Sequence, residues 1–155
     1  EQHAVIKDPL RGASVKPYKE GLEFVKDGDV CYRKGDLMKA YPAEAAVDMI
    51  YAESHLRTVS SGSAAATVME GAKGRSIVPE GDIALGEALR RGVFPEVELS
   101  LEDALRYLRR DTLAFPGEAK GYLLVTYRGI PLGFVKNIGN RSNNLWPQGW
   151  RIRNV

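Results

Sequence analysis

Apolar residues near the start of the chain are spaced as in short strands and an amphipathic helix. Residues 1–17 contain three helix-breaking residues and read as an irregular lead-in. Apolar runs on both sides of an Asp-Gly pair predict a β-hairpin over residues 22–33. The stretch PAEAAVDMIYAES predicts a helix that begins at Pro42. Its expected buried residues, at helical spacing, are Ala46, Met49 and Ile50.

The following stretch predicts three more strands and a second helix. The strands are expected at residues 56–59 and on both sides of a glycine-rich turn at 71–75. Residues 81–91 predict the helix, with Asp82 as its N-cap. Its expected buried residues are Ile83, Leu85, Ala88 and Leu89. We place a domain boundary after it, near Gly92, so that residues 18–91 form one small α+β domain.

The second half of the chain, residues 92–155, predicts one helix and several strands. Ser100 and Asp103 are spaced as in a capping box, and a stripe of Leu101, Leu105 and Leu108 is expected to be buried. YLLVTY and LGFVKN predict a hairpin that turns at Arg128-Gly129, and the alternating WRIR predicts a last strand. The predicted fold class is therefore α+β, with two small domains, the second a small β-barrel with a flanking helix.

Charge is distributed unevenly between the two parts of the chain. From residue 119 to the end there is no acid and there are six basic residues, whereas the whole chain carries only +2. The first 118 residues therefore sum to −4. Such asymmetry favours a polyanionic partner for the basic end, with a basic surface that has no particular partner as the alternative.

The sequence argues against several classes of chemistry. The glycine-containing segment at 117–121 lacks the length and the hydroxyl residue of a phosphate loop. One cysteine and two histidines are too few for a Cys/His metal site, and no stretch is apolar enough to span a membrane. A nucleophilic pair of Cys31 and His55 remains an alternative, although Cys31 lies in a strand pattern where an inert, buried thiol is usual.

The basic end itself suggests RNA recognition. Asparagine amides suit tight turns but also base edges and sugar hydroxyls, and tryptophans can either form core or stack on unpaired bases. Arg151 and Arg153 are expected to share one strand face. The candidate RNA-binding residues are Lys120, Arg128, Lys136, Asn137, Asn140, Arg141, Asn143, Asn144, Arg151 and Arg153.

The same residues carry a resemblance to a known family. GYLLVTYRGIPLGFVKN, followed by NLWPQGWR, resembles the C-terminal end of bacterial Nop/Sun-family RNA cytosine-C5 methyltransferases of the RsmF type. SLEDALRYLRRDTL is similar to the segment that precedes this end in the family. Upstream, LRTVSSG, Lys73-GR, Pro79 and Ala84-Leu85 resemble the family's small linker domain. Asn143 and Gln148 depart from the pattern, since the family usually has lysine at both positions.

The resemblance implies a PUA-like RNA-binding domain, with small-subunit rRNA and the protein's own catalytic domain as partners. The single cysteine fits a reducing compartment, so we expect a cytoplasmic protein, and the residues noted above predict no role for a membrane or a metal. S-adenosylmethionine would be bound by the catalytic domain, which we expect to be absent from this chain because Cys31 follows Val30 rather than the family's proline. The chain has no start methionine, so we expect a piece of a longer protein and no enzyme by itself. The alternative is a docking module for the catalytic domain or a ribosomal protein.

Overall fold

A computed structural model describes residues 16–17, 22–72 and 74–153. Five strands form the first sheet in sequence order, and each is antiparallel to the next. These strands are β1 Lys16–Pro17, β2 Asp29–Lys34, β3 Leu37–Pro42, β4 Ser63–Gly71 and β5 Gly74–Pro79. The predicted pair of strands around the glycine-rich turn is confirmed as β4 and β5. Lys73 and most of the predicted lead-in lie outside the described residues.

The hairpin predicted over residues 22–33 is wrong in register. The chain turns instead at Gly35-Asp36, where Lys34 pairs with Leu37 and Gly35 takes a positive φ of 60°. Residues before the Asp-Gly pair do not form a ladder, because Phe24 is buried in the core and Val25 makes an isolated bridge to Leu89. The hairpin therefore forms at a second glycine-containing turn, seven residues further along the chain than the Asp-Gly pair that the pattern favoured.

The first two helices, α1 Ala46–His55 and α2 Gly81–Leu85, are both shorter than predicted. Helix α1 cannot begin at Pro42, because that residue is the last of β3 and pairs with Asp29. Its expected buried face is confirmed, with Ala46 and Ile50 buried and Met49 packed beside them.

Helix α2 ends before Gly86, and Leu85 is exposed rather than buried. Asp82 lies inside the helix instead of capping it, because its carboxylate accepts the backbone N–H of Ala64 at 2.7 Å. The strand predicted at residues 56–59 is also wrong, since this segment is irregular and Leu56 and Val59 are exposed.

The second sheet has four strands, and its central hairpin is the predicted one. Strand β6 Glu96–Glu98 lies parallel to β7 Gly121–Tyr127, which pairs with β8 Ile130–Asn137 and, through it, with β9 Ser142–Asn144. The strand predicted for WRIR is wrong. Residues Gln148–Trp150 form a 3₁₀ turn, and residues 151–153 are irregular.

Helix α3 Leu101–Leu108 packs on this second sheet. The Ser100 hydroxyl accepts the backbone N–H of Asp103 at 3.1 Å, which confirms the predicted cap. The predicted leucine stripe is wrong for Leu101, which is 57% exposed, and the fully buried residues of the helix are Ala104 and Tyr107. Leu108 packs against the same cluster, as predicted. The Tyr107 ring packs edge-on against the ring of Trp146, with centroids 5.7 Å apart, which fixes this face of the helix towards the core.

One hydrophobic cluster joins residues on both sides of Gly92. Leu124 of β7 and Phe134 of β8 belong to the same cluster as Met38, Val68 and Ile83 from the first part of the chain. The opposite face of the second sheet packs against α3 in a separate cluster. The mixed architecture confirms the α+β class, while the division into two domains stays a prediction.

Candidate nucleic-acid interface

Three side chains form a row across the second sheet. Lys136 of β8 lies opposite Tyr122 of β7 on one side and opposite Asn143 of β9 on the other. The Lys136 ammonium is 5.3 Å from the centroid of the Tyr122 ring, a cation–π distance. Side chains two residues apart on a strand share a face, so Tyr122 and Lys136 lie on the same face of the sheet as the buried Leu124 and Phe134. The row is where this face becomes accessible to solvent.

Tyr122 was missing from the residues predicted to bind RNA. A two-residue turn at Arg128-Gly129, continued without interruption, would place Val135 opposite Tyr122. A β-bulge between Val125 and Thr126 shifts the register by one residue and brings Lys136 there instead. Alternation in YLLVTY showed that Tyr122 shares a face with Leu124, but only the bulge decides which residue lies opposite it.

The turn between β8 and β9 extends this row with further basic and amide groups. Asn140 and Arg141 are exposed in the turn, and Lys120, at the start of β7, packs its side chain against Gly139. A Cβ atom at Gly139 would lie 3.2 Å from the Lys120 Cε atom. We refer to Lys120, Lys136, Asn140, Arg141 and Asn143 together as the basic end of the second sheet.

Arg128 lies at the other end of the sheet. The seven residues of β7 lie between it and Lys120, and eight steps of nearly extended chain correspond to about 26 Å. Its guanidinium lies 5.4 Å from the ring centroid of Tyr127, and its backbone N–H donates to the carboxylate of Glu98. Glu96 is also found here, paired with Arg91. The structure therefore separates Arg128 from the basic end and places it among acids.

Arg151 and Arg153 are exposed but do not share a strand face, because no strand forms there. The backbone N–H of Ile152, between them, donates to the carbonyl of Leu108 at 3.1 Å. This bond holds the two arginines beside the C-terminal end of α3.

The side-chain amide of Asn137 is buried and hydrogen-bonded within the protein. Asn137 is only 2% exposed. Its Nδ2 group donates to the carbonyls of Phe115, Glu118 and Ala119 at 3.1–3.3 Å, and its Oδ1 atom accepts the N–H of Gly139. An amide whose groups are all occupied inside the protein has none left for RNA. Asn137 instead joins the loop that precedes Lys120 to the turn that carries Arg141.

Asn144 has a comparable structural role at the end of α3. Its Nδ2 group donates to the carbonyls of Tyr107 and Asp111, and its Oδ1 atom accepts the N–H of Trp146. The Tyr107 carbonyl lies in the last turn of α3 and the Asp111 carbonyl in the loop that follows, so Asn144 ties strand β9 to the end of the helix. We therefore leave Asn137 and Asn144 out of the basic end.

The two tryptophans have different environments. Trp146 is core, with 8% exposure, and its indole N–H donates to the carbonyl of Trp150 at 3.0 Å. Trp150 is 44% exposed and lies edge-on against Trp146 with ring centroids 5.4 Å apart. Only Trp150 thus presents a ring surface to the outside.

The alternative nucleophilic pair does not assemble. The Cys31 thiol is buried among Leu22, Met38 and other apolar side chains, and burial raises its pKa, which disfavours the reactive thiolate. His55 is exposed and stacks on Tyr51 with ring centroids 4.1 Å apart. Among residues 22–72 and 74–153, no group of three or more His, Cys, Asp or Glu side chains could hold a metal ion. No helix in the described part of the chain is long and apolar enough to cross a membrane.

A capped helix packed on a four-stranded sheet with one basic end is consistent with a PUA-like domain. Residues 94–152 match the family model of the methyltransferase RsmF PUA domain. The chain is also similar to the ribosomal RNA small subunit methyltransferase F of Shewanella sp. (strain ANA-3), with 40% identity over 68 residues. The alignment covers 41% of this chain but only 14% of that relative. Residues 94–152 of this chain are thus similar to the RsmF-type PUA domain, as the resemblance indicated.

Proposed function

We propose that this chain is the RNA-binding C-terminal region of an S-adenosylmethionine-dependent rRNA cytosine-C5 methyltransferase. In this proposal it holds small-subunit rRNA in position while a catalytic domain elsewhere in the longer protein methylates it in the cytoplasm. The RsmF-type PUA match and the name of the Shewanella relative support this function.

The row of Tyr122, Lys136 and Asn143 is the observation that carries the proposal. A lysine held over an aromatic ring supplies a positive charge for the phosphate backbone at a fixed place. The exposed Asn143 amide beside it can both donate and accept hydrogen bonds, which suits base edges and 2′-hydroxyl groups. Lys120 and Arg141 add two charges at the same end of the sheet, without an acid from residue 119 onward.

We assign S-adenosylmethionine binding to the catalytic domain rather than to this chain. The glycine-containing segment at residues 117–121 leads into strand β7 and not into a helix. It therefore lacks the helix N-terminus that nucleotide-type cofactor loops use to hold negatively charged groups. The contribution of this chain would be to bind and orient RNA.

The proposal is tested by fluorescence anisotropy of the 155-residue chain with fragments of small-subunit rRNA at two salt concentrations. Each phosphate contact should add about 0.7 to 0.9 to the slope of log affinity against log salt, so binding through the basic end should weaken steeply with salt. Lys136→Gln should weaken binding and reduce that slope. Arg128→Gln is the matched control, because it removes one charge from the same sheet at its opposite end.

Two outcomes would contradict the proposal. Equal losses in Lys136→Gln and Arg128→Gln would show that only total charge matters and that the basic end is not the binding surface. Absence of RNA binding at low salt would favour the alternative, in which this region docks on the catalytic domain or on a ribosomal protein.

A further inference from the structure

A cleft lies between helix α3, the loop that follows it and the β8–β9 turn. Its volume is about 320 Å³, which is at the lower end of the range for pockets that hold small ligands. Asp103 and Arg106 line it from α3, Thr112 and Phe115 from the loop, and Asn140 and Arg141 from the turn. Asn140 and Arg141 also belong to the basic end, so the cleft directly adjoins the proposed RNA-binding surface.

Arg106 is held in a fixed orientation at this cleft. Its Nη1 atom donates to the Oδ1 atom of Asp103 at 3.0 Å, and its Nη2 atom donates to the carbonyl of Thr112 at 3.2 Å. A guanidinium has five N–H donors, so three are left for a ligand. Two contacts from different segments restrict the rotamers of Arg106 before any ligand arrives, which lowers the entropy cost of binding.

Arg141 faces the same cleft without a competing partner. Among the described residues, its guanidinium makes no hydrogen bond or ion pair, and the Asn140 amide makes none either. The single acid in the cleft, Asp103, is already paired with Arg106. The cleft therefore holds two arginines against one neutralised carboxylate, a combination that favours an anion.

We propose that this cleft binds one unpaired RNA nucleotide, with its phosphate between Arg106 and Arg141 and its base or ribose against the Asn140 amide. This inference rests on the proposed RNA-binding function and adds a site that reads single-stranded RNA. The space suits one nucleotide and excludes a base pair, whereas the open row at Tyr122, Lys136 and Asn143 can contact a paired backbone equally well. RNA that crosses the β8–β9 turn from this row enters the cleft.

The test compares two RNA ligands that differ only in unpaired nucleotides. One is a blunt duplex and the other is the same duplex with a three-nucleotide single-stranded overhang, each measured by anisotropy with the 155-residue chain. Arg106→Gln should weaken binding of the overhang RNA roughly three- to tenfold and leave the blunt duplex unaffected. Arg141→Gln should weaken the overhang RNA more than the blunt duplex, because Arg141 belongs to the basic end as well as to the cleft. The salt slope for the overhang RNA should fall by about 0.7. Arg109→Gln is the matched control, because it removes the same charge from α3 one turn away.

Further measurements separate the possible failures. Thermal unfolding of each variant shows whether Arg106→Gln remains folded. Arg141→Gln changes no side-chain hydrogen bond or ion pair among the described residues, so the difference between its effects on the overhang RNA and on the blunt duplex reports the cleft. Unchanged overhang binding in both variants, with Lys136→Gln still weakened, would refute the cleft site and leave the proposed function intact. If the unsubstituted chain bound neither RNA, the proposed function would fail and the cleft site with it. Competition by millimolar inorganic phosphate as strong as that by a short oligonucleotide would show a free-phosphate site instead.

Discussion

Replacement of Asn137 by alanine tests whether this amide is structural or contacts RNA. The substitution removes two N–H donors, which serve three carbonyls, and one acceptor, which serves Gly139. A net contribution of about 1 kcal/mol for each of these three groups predicts a loss of about 2 to 4 kcal/mol, since the carbonyls are left without their donor in a buried place. This is a large share of the 5–15 kcal/mol typical of a folded domain.

The assay is urea and thermal unfolding of the Asn137→Ala variant beside the unsubstituted chain. The expected loss corresponds to a lowering of Tm by about 5 to 15 °C for a chain of this size. Asn143→Ala is the matched control, because it truncates an exposed asparagine in the adjacent strand. It should change stability by less than about 0.5 kcal/mol while weakening RNA binding.

A stability of Asn137→Ala within 0.5 kcal/mol of the unsubstituted chain would refute this reasoning. It would mean that the internal hydrogen bonds contribute little or that water replaces them. Weaker RNA binding together with unchanged stability would return Asn137 to the RNA-binding residues predicted from the sequence.

Two further predictions concern packing and pH. Gly133→Ala should lower the free energy of unfolding by at least about 3 kcal/mol, because φ is +156° and the new Cβ atom would lie 2.2 Å from the Tyr107 hydroxyl oxygen. A double variant that also carries Tyr107→Phe should recover part of this stability in an unfolding experiment. Burial would raise the pKa of Glu53, but hydrogen bonds from Lys39, Tyr41 and Ser61 outweigh it and hold that pKa low. Because the folded-state pKa of Glu53 is lowered, its carboxylate stabilises the protein at pH values above its unfolded-state pKa, and this stabilisation is lost as pH falls through the folded-state pKa. Glu53→Gln should therefore flatten the decline of the unfolding free energy below about pH 4.5. An equal decline in both proteins would contradict this assignment.

Local patterns in the sequence were sufficient for elements that are stabilised within a few residues. The Ser100 cap, the hairpin at Arg128-Gly129 and the strands around the glycine-rich turn at residues 71–75 all formed as predicted. A cap or a tight turn satisfies its own backbone groups and so depends little on distant residues. The accumulation of positive charge after residue 118 also needed no structure to be seen. The family resemblance covers the same C-terminal region that the RsmF PUA model matches.

Tertiary packing decided what these patterns left open. The first hairpin could turn at Asp27-Gly28 or at Gly35-Asp36, and it turns at Gly35-Asp36 because Phe24, before the other turn, is buried in the core instead of pairing in a ladder. The asparagines at residues 137, 140, 143 and 144 look alike in the sequence, yet their environments differ. The amides of Asn137 and Asn144 are hydrogen-bonded within the protein, whereas Asn140 and Asn143 are exposed, because only the folded chain brings distant carbonyls to the first two. The bulge in β7–β8 places Lys136 over Tyr122, and strand β7 holds Lys120 and Arg128 at its opposite ends. Charge could thus be counted from the sequence, but where it is concentrated depends on strand register and on contacts between residues far apart in the chain.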